Sequence, residues 1–333
     1  MIAVGLDRIA RAHERISGRV RYTPLVLSPG LSAVCGVPVH LKLESHQPTG
    51  SFKLRGATNA VLSLSDEAKK RGLVTASTGN HGRALAHAAK AEGVRAVICM
   101  SALVPANKVD AVRALGAEVR IVGRSQDDAQ AEVDRLVREE GLTAIPPFDH
   151  AEVIAGQGTI GLEIADARSD TELVLVPLSG GGLAAGVAEA IKGRLPQARV
   201  IGVSMERGAA MYESLRAGKP LPVEELETLA DSLGGGIGLE NRYTFAMCRD
   251  LLDDVVLLSE EEIAEGIRHA FAAEGEMVEG AGAVGIAALL AKKVELRGPT
   301  VVLVSGRNID EALHRRIVDI DGRNAMSAGG PAP

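Results

Sequence analysis

Short runs rich in Val, Ile and Leu, too brief for helices, alternate along this chain with longer segments of helical period. Candidate strands fall at 39–43, 73–76, 95–99, 118–122, 173–176, 200–203, 255–258 and 301–304. Parallel neighbours need a crossover of a dozen or more residues, so this rhythm predicts an α/β fold: open, mostly parallel sheets flanked by helices. One intervening segment, 127–140, places Ala129, Val133, Leu136 and Val137 on a common helical face. Ser259 followed by Glu262 reads as a capping box opening another helix, and Ser125 with Asp128 as a weaker version of it. The regular alternation from 73 to 145 stops at Pro146-Pro147, which can continue neither a helix nor a central strand. We therefore expect a small α/β domain, 63–146, inserted into a large domain formed by 1–62 and 147–326. The Gly-, Ala- and Pro-rich stretch 327–333 is expected to be a disordered tail.

The 333 residues are long enough to bury a core without disulfides or metals, and with only 2% aromatics and no Trp that core must be aliphatic. A formal charge of −6, dispersed rather than gathered into a basic face, argues against a nucleic-acid partner. Cys35, Cys99 and Cys248 lie far apart in no metal-ligand spacing, which points to a reducing compartment and to neither disulfides nor zinc. Cys99, inside Val97-Ile98-Cys99-Met100, reads as an inert buried thiol. No leader pattern and no run of membrane-spanning length is visible, so no membrane partner and a cytoplasmic location are expected.

Three segments carry chemistry, each with a bland alternative. In Gln47-Pro48-Thr49-Gly50-Ser51-Phe52-Lys53-Leu54-Arg55-Gly56, Lys53 sits on a tight turn between strand and helix; taken alone, it reads as a solvated first-turn lysine. Ser77-Thr78-Gly79-Asn80-His81-Gly82 follows a strand and opens a helix, so its backbone N–H groups and the helix dipole could receive a carboxylate. Simple capping by Ser77, Thr78 or Asn80 is the competitor, and His81 alone reads as structural. Ser179-Gly180-Gly181-Gly182-Leu183 also joins a strand to a helix, and its consecutive glycines let backbone wrap an anion such as a phosphate. A fourth segment misleads: Gly156-Gln157-Gly158-Thr159-Ile160-Gly161 matches the dinucleotide fingerprint GxGxxG. That fingerprint needs a strand just before it, whereas 150–155 follows the double proline and reads as helix, so we reject a nicotinamide cofactor.

Together, and in this order, these segments resemble the serine/threonine dehydratase family of fold-type-II pyridoxal phosphate enzymes, with a tryptophan synthase β-like fold. The resemblance runs from Tyr22-Thr23-Pro24-Leu25 through the Lys53 and Asn80 segments and Ile154-Ala155-Gly156-Gln157-Gly158-Thr159 to Ser305-Gly306-Arg307-Asn308. It implies pyridoxal 5'-phosphate held as a Schiff base by Lys53, with Phe52 packed near it and Asn80 bonding its phenolic oxygen. Ser179, Gly180, Gly181, Gly182 and Leu183 would cradle the phosphate, and Ser305 would face the pyridine nitrogen. Ser77, Thr78, Gly79, Asn80 and His81 would receive the substrate carboxylate, and Ser77 joins Lys53 as a candidate catalytic residue. A freed, burial-depressed lysine would act as base beside Cα. The neutral Ser305 would favour prompt β-elimination over transamination, giving a 2-oxo acid and ammonia from an L-β-hydroxy amino acid such as threonine or serine.

The family's relatives are often homodimers or homotetramers, which is the expectation here. Departures are informative. Ser179 replaces the first of four common glycines, which backbone contacts tolerate. Arg307 stands where many dehydratases carry Gly or Ala, a cation near the cofactor or its entrance that hints at a larger or more acidic substrate, with a solvated structural arginine as the alternative. Thr78 replaces the second-face serine of the racemases and argues against racemisation. Gly202-Val203 is followed by Ser204-Met205 and later Ala210, so the metal site of some relatives is absent. Ser204-Met205-Glu206-Arg207-Gly208, Ser101-Ala102-Leu103-Val104-Pro105 and Ser305-Gly306-Arg307-Asn308 are similar to dehydratases of hydroxyectoine catabolism. Amino-acid racemase and non-catalytic metabolite-binding homologue are the alternatives.

Overall fold

The computed structural model describes residues 4–77, 79–104 and 106–319; Thr78, Pro105 and the expected tail at 327–333 lie outside the described residues. Ten strands form two sheets. Six belong to the larger: β1 (Leu25–Leu27), β2 (Val39–Leu43), β7 (Leu173–Pro177), β8 (Arg199–Met205), β9 (Asp254–Leu258) and β10 (Thr300–Val304), in the order β1-β2-β10-β7-β8-β9. Only β1 runs antiparallel to its neighbour. The smaller sheet, all parallel, is ordered β5-β4-β3-β6 from β3 (Leu73–Ala76), β4 (Ala96–Met100), β5 (Glu118–Ile121) and β6 (Thr143–Ala144). The expected α/β class with two mostly parallel sheets is the observed one.

The central strands are buried on both faces, which is why they read as continuous apolar runs. Alternate residues divide between two cores: Val174, Val176, Val301 and Leu303 on one side, Leu173, Leu175, Val302 and Val304 on the other. Both cores are aliphatic. All eight expected strands are present within a residue or two, and two short edge pieces, β1 and β6, add to them. The helix Gln126–Glu140 buries Ala129, Val133 and Leu136, but Val137 is 38% exposed and belongs to the rim rather than the face assigned to it. Both capping boxes form, and Asp128 closes its box as fully as Glu262 does.

Residues 156–161 lie inside the helix Ala151–Ala167, not in a strand-to-helix loop. Their glycines permit close helix crossings. A Cβ on Gly156 would come within 2.6 Å of the Gly56 Cα, and one on Gly161 within 2.8 Å of the Val187 carbonyl oxygen. The GxGxxG spacing here is a packing device, which removes the nicotinamide reading on structural grounds.

Beside this crossing lies a buried charge cluster. Arg55, fully buried, donates to Glu44 at 2.8 Å and to Glu163 at 2.6 Å, and Lys42 also pairs with Glu163. Burial alone would raise Glu44, yet Arg55, with Lys42 and Thr23, holds it below the ordinary carboxylate range. Two cations and two anions thus tie β2 and the helices Lys53–Leu62 and Ala151–Ala167 into one block.

Candidate active site

In open α/β sheets ligands gather at the carboxyl ends of strands. Three adjacent parallel strands, β2, β10 and β7, end in the segments singled out by sequence: Lys53 follows β2, Ser305 follows β10 and Ser179 follows β7. The Lys53 turn is stitched to the end of β10. Phe52 N–H donates to the Ser305 carbonyl at 3.0 Å, Arg307 N–H to the Gly50 carbonyl at 2.9 Å, and Ser51 bridges Gly306. Gly50 has φ +79°, and a Cβ there would meet the Asn308 side chain at 2.5 Å, so glycine is required on both counts. From the smaller sheet, β3 delivers Ser77 and the start of the helix Asn80–Ala91 to the same place.

These segments line one cavity of about 460 Å³, inside the range of roughly 300–1,000 Å³ common for ligand sites. Phe52, Lys53, Ser77, Gly79, Asn80, His81, Ser179, Gly180, Gly181, Gly182, Leu183 and Ser305 all contribute to its wall. Of the sequence-predicted residues only Thr78 lies outside the described residues.

Lys53 opens the helix Lys53–Leu62 with its amine deep in the cavity wall, 5.2 Å from the Phe52 ring centroid. Its one hydrogen-bond partner among the described residues is the Pro147 carbonyl at 2.7 Å. Burial lowers its pKa to about 8, against an opposing pull from Glu279. A solvated surface lysine is excluded. His81 is neutral: burial, with the Lys53 charge adding, drives its pKa to about 3, and its Nε2 bonds the Ile145 carbonyl at 2.9 Å. The structural role expected of His81 alone is thus present, although the ring also lines the cavity. Ser77 Oγ accepts from the Gly82 N–H at 3.0 Å, so part of its chemistry serves the helix start.

Ser305 Oγ donates to the Ala281 carbonyl at 3.2 Å and is buried. Gly181, at φ +89°, turns the chain into the helix Gly182–Arg194, whose start has no side-chain cap. Phe148, itself on the cavity wall, packs against these side-chain-free glycines, and a Cβ on Gly180 would come within 2.5 Å of its ring. The loop therefore presents bare backbone to the cavity. A buried amine bonded to a single carbonyl, an uncapped glycine loop at a helix start and a neutral hydroxyl at the third strand end together fit pyridoxal phosphate.

Sequence reasoning missed Glu279, Asn308 and Arg83. Glu279 accepts from Asn80 Nδ2 at 2.7 Å and from the Asn308 N–H at 3.1 Å. Burial, with Asp231 adding, raises its pKa to about 7. The available signal was Glu279-Gly280-Ala281-Gly282, since a Cβ on Gly282 would reach 2.5 Å from the Gly306 carbonyl oxygen. Arg307, expected near the cofactor or its entrance, instead turns outward: its backbone is tied to Gly50 while its side chain is exposed and outside the cavity lining. Arg83 is the arginine that lines the cavity.

Comparison with known proteins agrees with this geometry. The family described as pyridoxal-phosphate dependent enzyme matches residues 16–306. A Sinorhizobium fredii protein provisionally named threonine dehydratase is 62% identical over 317 residues, spanning 95% of this chain and 96% of the relative. An L-threonine ammonia-lyase of Thermotoga maritima is 41% identical over 95% of this chain and 78% of its own length. The solved structure of maize serine racemase superposes with a TM-score of 0.89 at 32% identity, covering 94% of this chain and 98% of that one. The chain belongs to the pyridoxal-phosphate dependent enzymes of fold type II, in the serine/threonine dehydratase family.

Proposed function

We propose that this enzyme eliminates the β-hydroxyl of an L-β-hydroxy amino acid such as threonine or serine as water, after which hydrolysis of the released enamine takes one water back and frees ammonia, leaving the 2-oxo acid. The observation that carries the reading is the Lys53 amine, deep in the cavity, bonded to one carbonyl and lowered to about 8. Phe52, Lys53, Asn80, Ser305 and the backbone of Ser179, Gly180, Gly181, Gly182 and Leu183 would hold the cofactor. Bound there, pyridoxal phosphate supplies electron withdrawal from the substrate Cα. Lys53, neutral in a useful fraction near physiological pH, takes the Cα proton. The start of the helix Asn80–Ala91 orients the substrate carboxylate through Ser77, Gly79, Asn80 and His81. His81, held neutral, adds no charge to that step. Ser305, whose hydroxyl here donates to the Ala281 carbonyl, would offer the ring nitrogen an uncharged partner, which would favour elimination over transamination.

The likeness of 204–208 and 101–105 to hydroxyectoine-catabolic dehydratases extends the reading to that role, in a cytoplasmic homodimer or homotetramer. Among the described residues no helix is long and apolar enough to cross a membrane. Likeness to a serine racemase supports amino-acid racemisation as a second reading. One assay separates the two. The purified enzyme is given L-threonine and L-serine, and ammonia, 2-oxo acid and the D-enantiomer are measured together. Ammonia and oxo acid in equal amounts support elimination, whereas inversion without ammonia refutes it.

A further inference from the structure

Besides Lys53, reserved for the cofactor in the proposed function, and Lys108, which faces Asp231, the cavity has three positive foci, while an amino-acid substrate with the cofactor brings two anions near them. Two foci are helix starts, that of Asn80–Ala91, where Ser77 takes one N–H, and that of Gly182–Arg194, which has no side-chain cap; in the proposed function they take the α-carboxylate and the phosphate. The third is Arg83. It lies in the first turn of the helix Asn80–Ala91, is half-buried and lines the cavity with Lys53. Helical side chains lean toward the N-terminus, and Arg83 bonds Asn308, which in turn bonds Asn80 at the helix start.

Its single hydrogen bond among the described residues runs from Nη1 to Asn308 Oδ1 at 3.2 Å, and none of their carboxylates pairs with it. A guanidinium has five N–H donors, most of which remain free for a ligand. Asn308 fixes its place. The Asn308 Nδ2 donates to the Thr49 carbonyl at 2.9 Å and to Asn80 Oδ1 at 2.6 Å, and its N–H donates to Glu279. The guanidinium is thus one hydrogen-bonded neighbour away from Asn80, and a guanidinium has the fork of donors that recognises a carboxylate.

The cavity's acids do not neutralise it. Asp231 faces Lys108 at 3.7 Å, and Glu279 is occupied by Asn80 and Asn308. Asp127 and Glu225 are exposed at the rim, where solvent and salt screen them.

Resting on the proposed elimination, we propose that Arg83 forms a subsite for a second carboxylate. The preferred substrate is then a 3-hydroxy dicarboxylic amino acid such as 3-hydroxyaspartate rather than threonine.

Initial rates of the holoenzyme on L-threonine and L-threo-3-hydroxyaspartate, for wild type, Arg83→Gln and Arg83→Lys, test this. Wild type is expected to favour 3-hydroxyaspartate. Arg83→Gln should raise its KM by about 10–100-fold, the scale of a lost charge-assisted bond, with kcat little changed. Threonine should respond by less than about threefold, and Arg83→Lys should keep part of the preference. A binding readout accompanies the rates: calorimetry of L-aspartate, which has no β-hydroxyl to lose, against L-alanine. L-Aspartate should bind more tightly to wild type and lose that advantage in Arg83→Gln. An equal rise in KM for both substrates would assign Arg83 to the α-carboxylate and overturn the proposal, as would no change in either. If neither substrate releases ammonia, the elimination reading fails, while the aspartate-to-alanine ratio still decides the role of Arg83.

Discussion

Replacing Arg55 by Met removes the centre of the buried charge cluster while keeping a side chain of comparable length. The guanidinium makes bidentate contacts with Glu44 at 2.8 Å and 2.8 Å, bonds Glu163 at 2.6 Å and 2.9 Å, and reaches Thr159 and the Arg21 carbonyl. Without it, Glu44 and Glu163 share Lys42 alone, and one buried negative charge is left uncompensated. Breaking a buried pair from one side destabilises by about 3–5 kcal/mol, a large part of a typical total of about 5–15 kcal/mol. The deficit must also depend on pH. In wild type, Glu44 is held below its unfolded value, so it contributes stability above that value and loses it as pH falls. In the variant, burial without Arg55 raises Glu44 above its unfolded value, and its contribution is greatest at low pH and lost as pH rises. Between pH 7.5 and 5, both above the unfolded value of Glu44, the wild-type contribution persists, and the variant's recovery on acidification shrinks the difference. Urea unfolding at pH 7.5 and at pH 5 measures it. A deficit under about 1 kcal/mol, or one unchanged between the two pH values, would refute the reasoning. Adding Glu44→Gln should recover part of the loss, because it restores the charge balance.

Two further outcomes are expected. Gly156→Ala would press a methyl group against the Gly56 Cα and the Arg55 carbonyl, backbone that can yield only by moving the helix Lys53–Leu62. We expect a loss of about 1–3 kcal/mol together with weaker cofactor retention, and wild-type behaviour in both would contradict the packing account. In cofactor-free protein, the Lys53 amine should react with an acylating reagent with a midpoint near pH 8 rather than the ordinary 10.5. Folding expels this proton between the two values, so Lys53 adds stability as pH rises through that window, and Lys53→Met should remove that slope. A midpoint near the ordinary value would contradict the burial argument.

The parallel core was legible because strands buried on both faces leave uninterrupted apolar runs, as at Val301-Val302-Leu303-Val304. The edge strand β1 was not, since three residues give no period and β1 draws its order from pairing with β2. Glycines carried most of the site, and they also supplied the false fingerprint at 156–161. Sequence marks a place where backbone must come close, without saying whether to a ligand or to another helix. Asn308 was quoted only as part of a motif, because its meaning depends on Gly50, Asn80 and Glu279, which are distant in sequence and meet only in the fold. Arg83 was not singled out, because nothing in its local sequence marks it as lining the cavity, whereas Arg307, which was, is exposed and outside the lining.

The central claim is that Lys53 bonds the cofactor. The purified enzyme is expected to absorb visible light through a lysine–pyridoxal linkage. Borohydride reduction followed by peptide mapping should place the cofactor's mass on Lys53. A colourless protein that takes up no pyridoxal phosphate, or a label on any other lysine, would contradict the account.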